Sequence, residues 1–224
     1  MSDDIILDRA SAPEEIEARS FEIIDAEAPR PYSGRLWEVA RRCVHALGDI
    51  EIANDLLLSE AALESGLEAL KNECVVFTDT RMLAAGLVAR RMDPLGVKVR
   101  PLMELPRLDA MARESGLTRA ACGMRMIAPE LDGQIVAVGN APTALLALLD
   151  ELKARPSVRP ALIVGMPVGF VNAAQSKELL ARADYPSFVL RGRKGGSTAA
   201  AAAINALANI ALRDLGKAPC KAAP

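Results

Sequence analysis

Aromatic residues are scarce in this chain, with one Trp, two Tyr and four Phe among 224 residues. Single-stranded nucleic acid is held largely by stacking on such rings, so that class of ligand is disfavoured. An excess of one charge is missing too, since 27 Lys and Arg stand against 29 Asp and Glu. With no whole-molecule field to gather a polyanion or an anionic membrane, any anion site has to be local. No stretch reaches the roughly 18 unbroken apolar residues of a transmembrane helix. The opening MSDDIILDRASAPEEIEARS carries acids where a secretory signal needs basic and then apolar residues. A cytoplasmic protein that binds neither nucleic acid nor membrane is expected. Cys43, Cys74, Cys122 and Cys220 form no C-x-x-C pair and have no histidine beside them. They read as reduced thiols, with neither a zinc site nor a redox dithiol signalled and no metal expected.

Hydrophobic residues make up 51% of the chain, enough to fill one large core, and a single domain is the default at this length. From residue 72 onward short apolar runs alternate with helical patterns. The runs are residues 74–79, 97–101, 135–139, 161–165 and 187–191, and helices are predicted over 80–92, 143–155, 172–183 and 197–215. Strands without strict alternation suit a sheet covered on both faces, and β-α-β connectivity makes it parallel. The expected fold is α/β in three layers, α/β/α. Its sheet is five-stranded, parallel and doubly wound in flavodoxin-like order 2-1-3-4-5, with a helical N-terminal segment that includes helices over 37–47 and 52–70.

His45 is the only histidine. Stepping along residues 36–49 at helical pitch, Leu36, Val39, Ala40, Cys43 and Leu47 form one apolar stripe, and His45 lies about 180° away from it. Arg41, Arg42 and Glu38 point the same general way. An imidazole among arginines suits proton chemistry on an anion, and a solvated surface histidine is the plain alternative.

Ligands of such sheets sit beyond the carboxyl ends of the strands. Those ends carry Asp79 and Thr80, Arg100 and Pro101, a Gly-Asn-Ala-Pro turn with Asn140, the apolar Met166, Pro167, Val168 and Phe170, and finally RGRKGGST at 191–198. The last loop offers Arg191, Arg193 and Lys194, three glycines, and Ser197 or Thr198 as N-cap of an alanine-rich helix, which together suit a carboxylate or phosphate. It is not a Walker A loop, because Lys194 precedes the glycine pair, and no G-x-G-x-x-G opens the first β-α unit. No cofactor is expected.

Five stretches, RSFEIIDAE (19–27), VHALGD (44–49), VAVGNAPTALLALL (136–149), VGMPVGFVNAAQSKELL (164–180) and RGRKGGSTAAAAAIN (191–205), resemble the precorrin-8X methylmutases of cobalamin biosynthesis, in that family's order. The resemblance spans about residues 19–210. It divides the chain into an extension (1–18), one methylmutase-like domain (19–212) and a disordered tail (213–224). It implies an isomerase that moves a methyl group from C-11 to C-12 of the corrin ring, giving hydrogenobyrinic acid without an external donor, and a homodimer with the site near the subunit boundary. It also implies that His45 acts on the tetrapyrrole as proton donor or acceptor, and Ser20 and Arg42 match its motifs most directly. Arg119 in LTRAACGM matches less closely. A polycarboxylate ring calls for a broad apolar slot rimmed by cations and helix N-termini. Met166, Pro167, Val168 and Phe170 are expected to form the slot. Ser20, Arg42, Asp79, Arg119, Asn140, Arg191, Arg193, Lys194, Ser197 and Thr198 are expected to hold the substrate. The competing readings are a corrinoid carrier, which needs no titrating group, and a nucleotide- or phosphate-binding α/β regulator.

Overall fold

Neighbouring residues of each short strand enter opposite cores, which is why the runs are continuously apolar. A computed structural model describes residues 12–217. Its strands are β1 (Leu56–Leu57), β2 (Val75–Thr78), β3 (Lys98–Pro101), β4 (Ile135–Val138), β5 (Leu162–Gly165) and β6 (Ser187–Leu190). Val76, Ile135, Ala137, Leu162, Val164 and Phe188 face one core, while Phe77, Val136, Val138, Ile163 and Val189 face the other.

The helices are α1 (Pro13–Glu27), α2 (Gly34–Leu47), α3 (Glu60–Lys71), α4 (Arg81–Gly86), α5 (Ala89–Met92), α6 (Leu108–Ser115), α7 (Arg119–Ile127), α8 (Pro142–Ala154), α9 (Ala173–Arg182) and α10 (Ser197–Asp214). The first core is closed by α2, α3, α4, α5 and α10, and the second by α7, α8 and α9, so the sheet is the middle of three layers. The helix α1 crosses the boundary expected at residue 18, and α10 runs past 212 to Asp214. The rest of the expected extension and tail, residues 1–11 and 218–224, lies outside the described residues.

The expected five-stranded, all-parallel sheet is corrected to a mixed six-stranded one, ordered β1-β6-β5-β4-β2-β3. Strands β2 to β6 run parallel to one another, and β1 pairs antiparallel with β6 through Leu56 with Leu190 and Leu57 with Val189. The extra strand comes from the segment read as one helix over 52–70. Ser59 ends the extended stretch by accepting a hydrogen bond from Ala62 N at 3.2 Å, so α3 starts only at Glu60. An exposed strand edge invites further pairing. Here the Tyr32 hydroxyl donates to Leu56 O at 2.6 Å and accepts from Leu58 N at 3.1 Å, closing that edge.

The helix predicted over 80–92 is broken into α4 and α5 by extended Leu87 and Val88. The cause is tertiary. Asn205 of α10 donates to Gly86 O at 2.8 Å and accepts from Val88 N at 3.0 Å, taking groups that a continuous helix would pair internally. Among the described residues no helix is long and apolar enough to cross a membrane.

Candidate active site

The helix α2 ends two residues beyond its histidine. Gly48 adopts φ 61°, a left-handed conformation open to glycine at little cost, and its N–H returns to His45 O at 3.3 Å. Of the predicted stripe, Leu36, Val39, Ala40 and Cys43 are buried and Leu47 is half-buried against the core, with the Cys43 thiol against Ala199 O of α10 at 3.7 Å. His45 is half-buried and faces a cavity of about 500 Å³ lined by residues of α2, α4, α5 and α10.

On the α2 side the cavity has Arg42, His45 and Ala46, and on the α10 side Ser197, Thr198, Ala201, Ala202 and Asn205. Met82, Ala85 and Gly86 of α4 and Arg91 of α5 complete the lining. Four of the residues expected to hold or act on substrate therefore meet in one place: Arg42, His45, Ser197 and Thr198. Arg91 and Asn205 join them without having been singled out in the sequence. For Asn205 a signal existed, an amide within a run of alanines and aliphatic residues. Arg91, in the dipeptide Arg90-Arg91, had none.

The α1 helix covers α2 with one face, Glu17, Phe21 and Asp25, spaced i, i+4, i+8. Asp25 accepts from Trp37 Nε1 at 2.6 Å and from Arg41 at 2.7 Å. The guanidiniums of Arg41 and Arg42 lie over the Phe21 ring, 4.3 and 4.8 Å from its centroid, and that ring meets the His45 ring edge-on at 5.4 Å. From RSFEIIDAE it is thus Phe21 that approaches the histidine. Ser20 is half-buried on α1, its hydroxyl returned to Ile16 O at 2.8 Å, outside the cavity lining. Glu17 receives Arg42 at 2.5 Å, and that hydrogen bond holds its carboxyl below the ordinary range against the opposing effect of burial.

Asp79 is corrected from a substrate contact to an internal clamp. It is fully buried at the end of β2, with Oδ1 accepting from Gly139 N at 3.1 Å and Oδ2 from Asn140 N and Ala141 N at 2.7 and 2.8 Å. Burial pushes its carboxyl up, while the three N–H donors pull it down. The clamp fixes the turn after β4, which leaves the Asn140 side chain exposed and outside the cavity lining. A β-carbon on Gly139 would come within 2.7 Å of Ser197 Cα, so only glycine allows this turn to support the start of α10.

The N-cap of α10 is Gly196, not Ser197 or Thr198. The Ser197 hydroxyl is instead shared with Thr80 Oγ1 at 3.0 Å, and Thr80 also caps α4 through Leu83 N at 3.1 Å. Thr198 is exposed towards the cavity. The cations of the preceding loop are engaged elsewhere. Arg191 makes a two-point pair with Glu178 at 2.9 and 3.1 Å, Arg193 lies over the Phe170 ring at 5.4 Å, and Lys194 reaches Asp49 at 2.6 Å. That last contact joins two of the motifs, VHALGD and RGRKGGST, beside the cavity. Lys177, fully buried, donates to Lys194 O at 2.7 Å, and burial lowers its ammonium to about 8. Arg119 starts α7 in the opposite layer, exposed and 3.5 Å from Asp109.

The expected slot residues divide as well. Met166 and Pro167 are buried, whereas Val168 and Phe170 are exposed, Phe170 by 83%, and none of them lines the cavity. The apolar wall is made by Ala201, Ala202 and Met82 instead. Cys43, Cys74 and Cys122 are buried free thiols, burial pushing Cys43 and Cys74 up to about 12, while Cys220 lies outside the described residues. Among the described residues no three His, Cys, Asp or Glu side chains gather closely enough to hold a metal.

A family model described as precorrin-8X methylmutase matches residues 15–210. The chain belongs to the precorrin-8X methylmutase family. A precorrin-8X methylmutase of a Sinorhizobium species is 42% identical over 200 residues, covering 88% of this chain and 94% of the relative. A cobalt-precorrin-8 methylmutase of Priestia megaterium is 36% identical over 200 residues, covering 89% and 88%. The crystal structure of precorrin-8X methylmutase from Thermus thermophilus superposes with a TM-score of 0.81 at 40% identity, covering 89% of this chain and 98% of the other. Membership makes the chain an enzyme, an isomerase of cobalamin biosynthesis. The cavity beside His45 brings an imidazole, two arginines and an apolar wall together in this fold.

Proposed function

We propose that this chain converts precorrin-8X to hydrogenobyrinic acid by moving a methyl group from C-11 to C-12 of the corrin ring, with His45 donating or sharing a proton at the tetrapyrrole. The observation that carries the reading is the position of the only histidine, half-buried in a cavity to which two of the family's motifs contribute most of the lining. The shift conserves every atom of the substrate, so no external methyl donor or oxidant is required. The protein has to place the ring and bias its electrons, and a proton held near a ring nitrogen does this by general-acid polarisation. Ala201, Ala202 and Met82 offer the ring an apolar face, while Arg42, Thr198 and Ser197 of the same lining would meet its carboxylate arms.

A corrin is a wide disc, and a cavity of about 500 Å³ open on one side takes only part of it. The proposal therefore includes a homodimer in which a second copy covers the remainder, a setting in which Arg119, Arg191 and Arg193 would meet substrate arms beyond the cavity itself.

Absorbance spectra after mixing with precorrin-8X test the chemistry. The wild-type chain should produce the product chromophore, and His45→Ala should bind while turning over about 100-fold more slowly or worse. Near-normal turnover by His45→Ala would remove the histidine's role. Binding without conversion by the wild type would instead favour a corrinoid carrier.

A further inference from the structure

We propose that Arg42 and Arg91 together form a receptor for one carboxylate arm of the ligand, and that Glu17 of α1 stands where that carboxylate binds. The inference rests on the reading of the ligand as a polycarboxylate corrin. Both arginines line the cavity beside His45. They lie close enough that the charge of Arg42 helps hold the Arg91 guanidinium below its ordinary value, after burial, while Glu17 opposes that effect. The carboxylate that pairs with Arg42 thus also feels the charge of Arg91. Arg91 has no acidic partner of its own among the described residues, and its Nε is taken by Asn209 of α10 at 2.7 Å, which fixes the guanidinium against that helix.

Glu17 is an occupant that can leave. Its side chain is 43% exposed whereas that of Arg42 is 17% exposed, so the cation is built into the wall and the anion is not. The docking of α1 has other anchors, since Asp25 holds Trp37 and Arg41 and the Phe21 ring packs against both arginines. When a ligand carboxylate displaces Glu17, one charge-assisted hydrogen bond is exchanged for another. The helix stays in place, and the acid left in solvent costs the ligand part of its affinity.

The test is titration of the wild type, Glu17→Gln and Arg91→Met with hydrogenobyrinic acid and, separately, with its fully esterified form, followed by absorbance. For the acid, Glu17→Gln should bind about threefold or more tightly, and Arg91→Met about tenfold or more weakly. For the ester, which carries no charge on its arms, neither variant should differ from wild type. Glu22→Gln on the same helix, which loses only the exposed pair with Arg19, should leave both affinities unchanged. The proposal stands only if both shifts appear for the acid and neither for the ester; any other pattern overturns it. Failure of the wild type to bind either corrin would overturn the polycarboxylate-corrin reading itself, a result distinct from unshifted variants of a binding protein.

Discussion

An aspartate holding three backbone N–H groups is poorly replaced even by its own amide. In Asp79→Asn the new NH2 group must face the N–H of Gly139 or those of Asn140 and Ala141, donor against donor in a buried site. Urea unfolding should show a loss of about 1–3 kcal/mol, and Asp79→Ala should lose at least as much. Turnover per folded molecule should also fall, because the turn that Asp79 fixes presses on Ser197 at the cavity's edge. Nothing in the sequence distinguishes this acid from one that faces a ligand, since both readings place it at a strand's carboxyl end. His45 was legible for the opposite reason, because helical phase alone takes it off the apolar stripe. The pairing of Arg191 with Glu178 and of Lys194 with Asp49 could not be read. The first joins residues on either side of a strand and the second residues 145 positions apart, and only the folded backbone brings each pair together.

At the scale of elements, α10 decides what its neighbours can do. The break between α4 and α5 was not legible, since the run over 80–92 has helical character throughout and it is Asn205 that takes Gly86 O and Val88 N. Asn205→Leu should cost about 1–3 kcal/mol for the two groups left unpaired, measured by denaturant unfolding, and raise KM by loosening the α4 wall. The two-residue β1 was missed because so short a strand has no period of its own, whereas the five parallel strands were legible as apolar runs bounded by turn residues. Lys177 gives the loop before α10 a dependence on pH. Its ammonium sits at about 8 in the fold against an ordinary 10.5, so as pH falls the unfolded chain takes up the proton first. The stabilising effect of its neutral form is complete above about 10.5 and is lost as pH falls through about 8. Denaturant midpoints should rise with pH across that window, and Lys177→Met should remove this contribution to the rise.

For the whole molecule, Val168, Phe170 and Val171 after β5 and Met82 after β2 leave apolar side chains exposed at the carboxyl end of the sheet, where the cavity opens. A second copy covering that end makes a dimer the expected assembly. Light scattering at micromolar concentration should give about twice 23.8 kDa, and Phe170→Glu should shift the mass towards the single chain. A fully active wild-type monomer would show that one chain suffices. The composition of α10 has a consequence for the thermodynamics of recognition. Alanine has no side-chain rotamers to freeze, so the wall made by Ala201 and Ala202 orders nothing when a flat ring settles on it. Nor can it adapt, because methyl groups carried by a buried helix have no alternative positions. Such a wall works as a fixed gauge of thickness. A ring bearing an added substituent on the face it presents to Ala202 is rejected by collision, and Ala202→Val should exclude even the natural ring in a calorimetric titration while the remainder of the fold is unchanged.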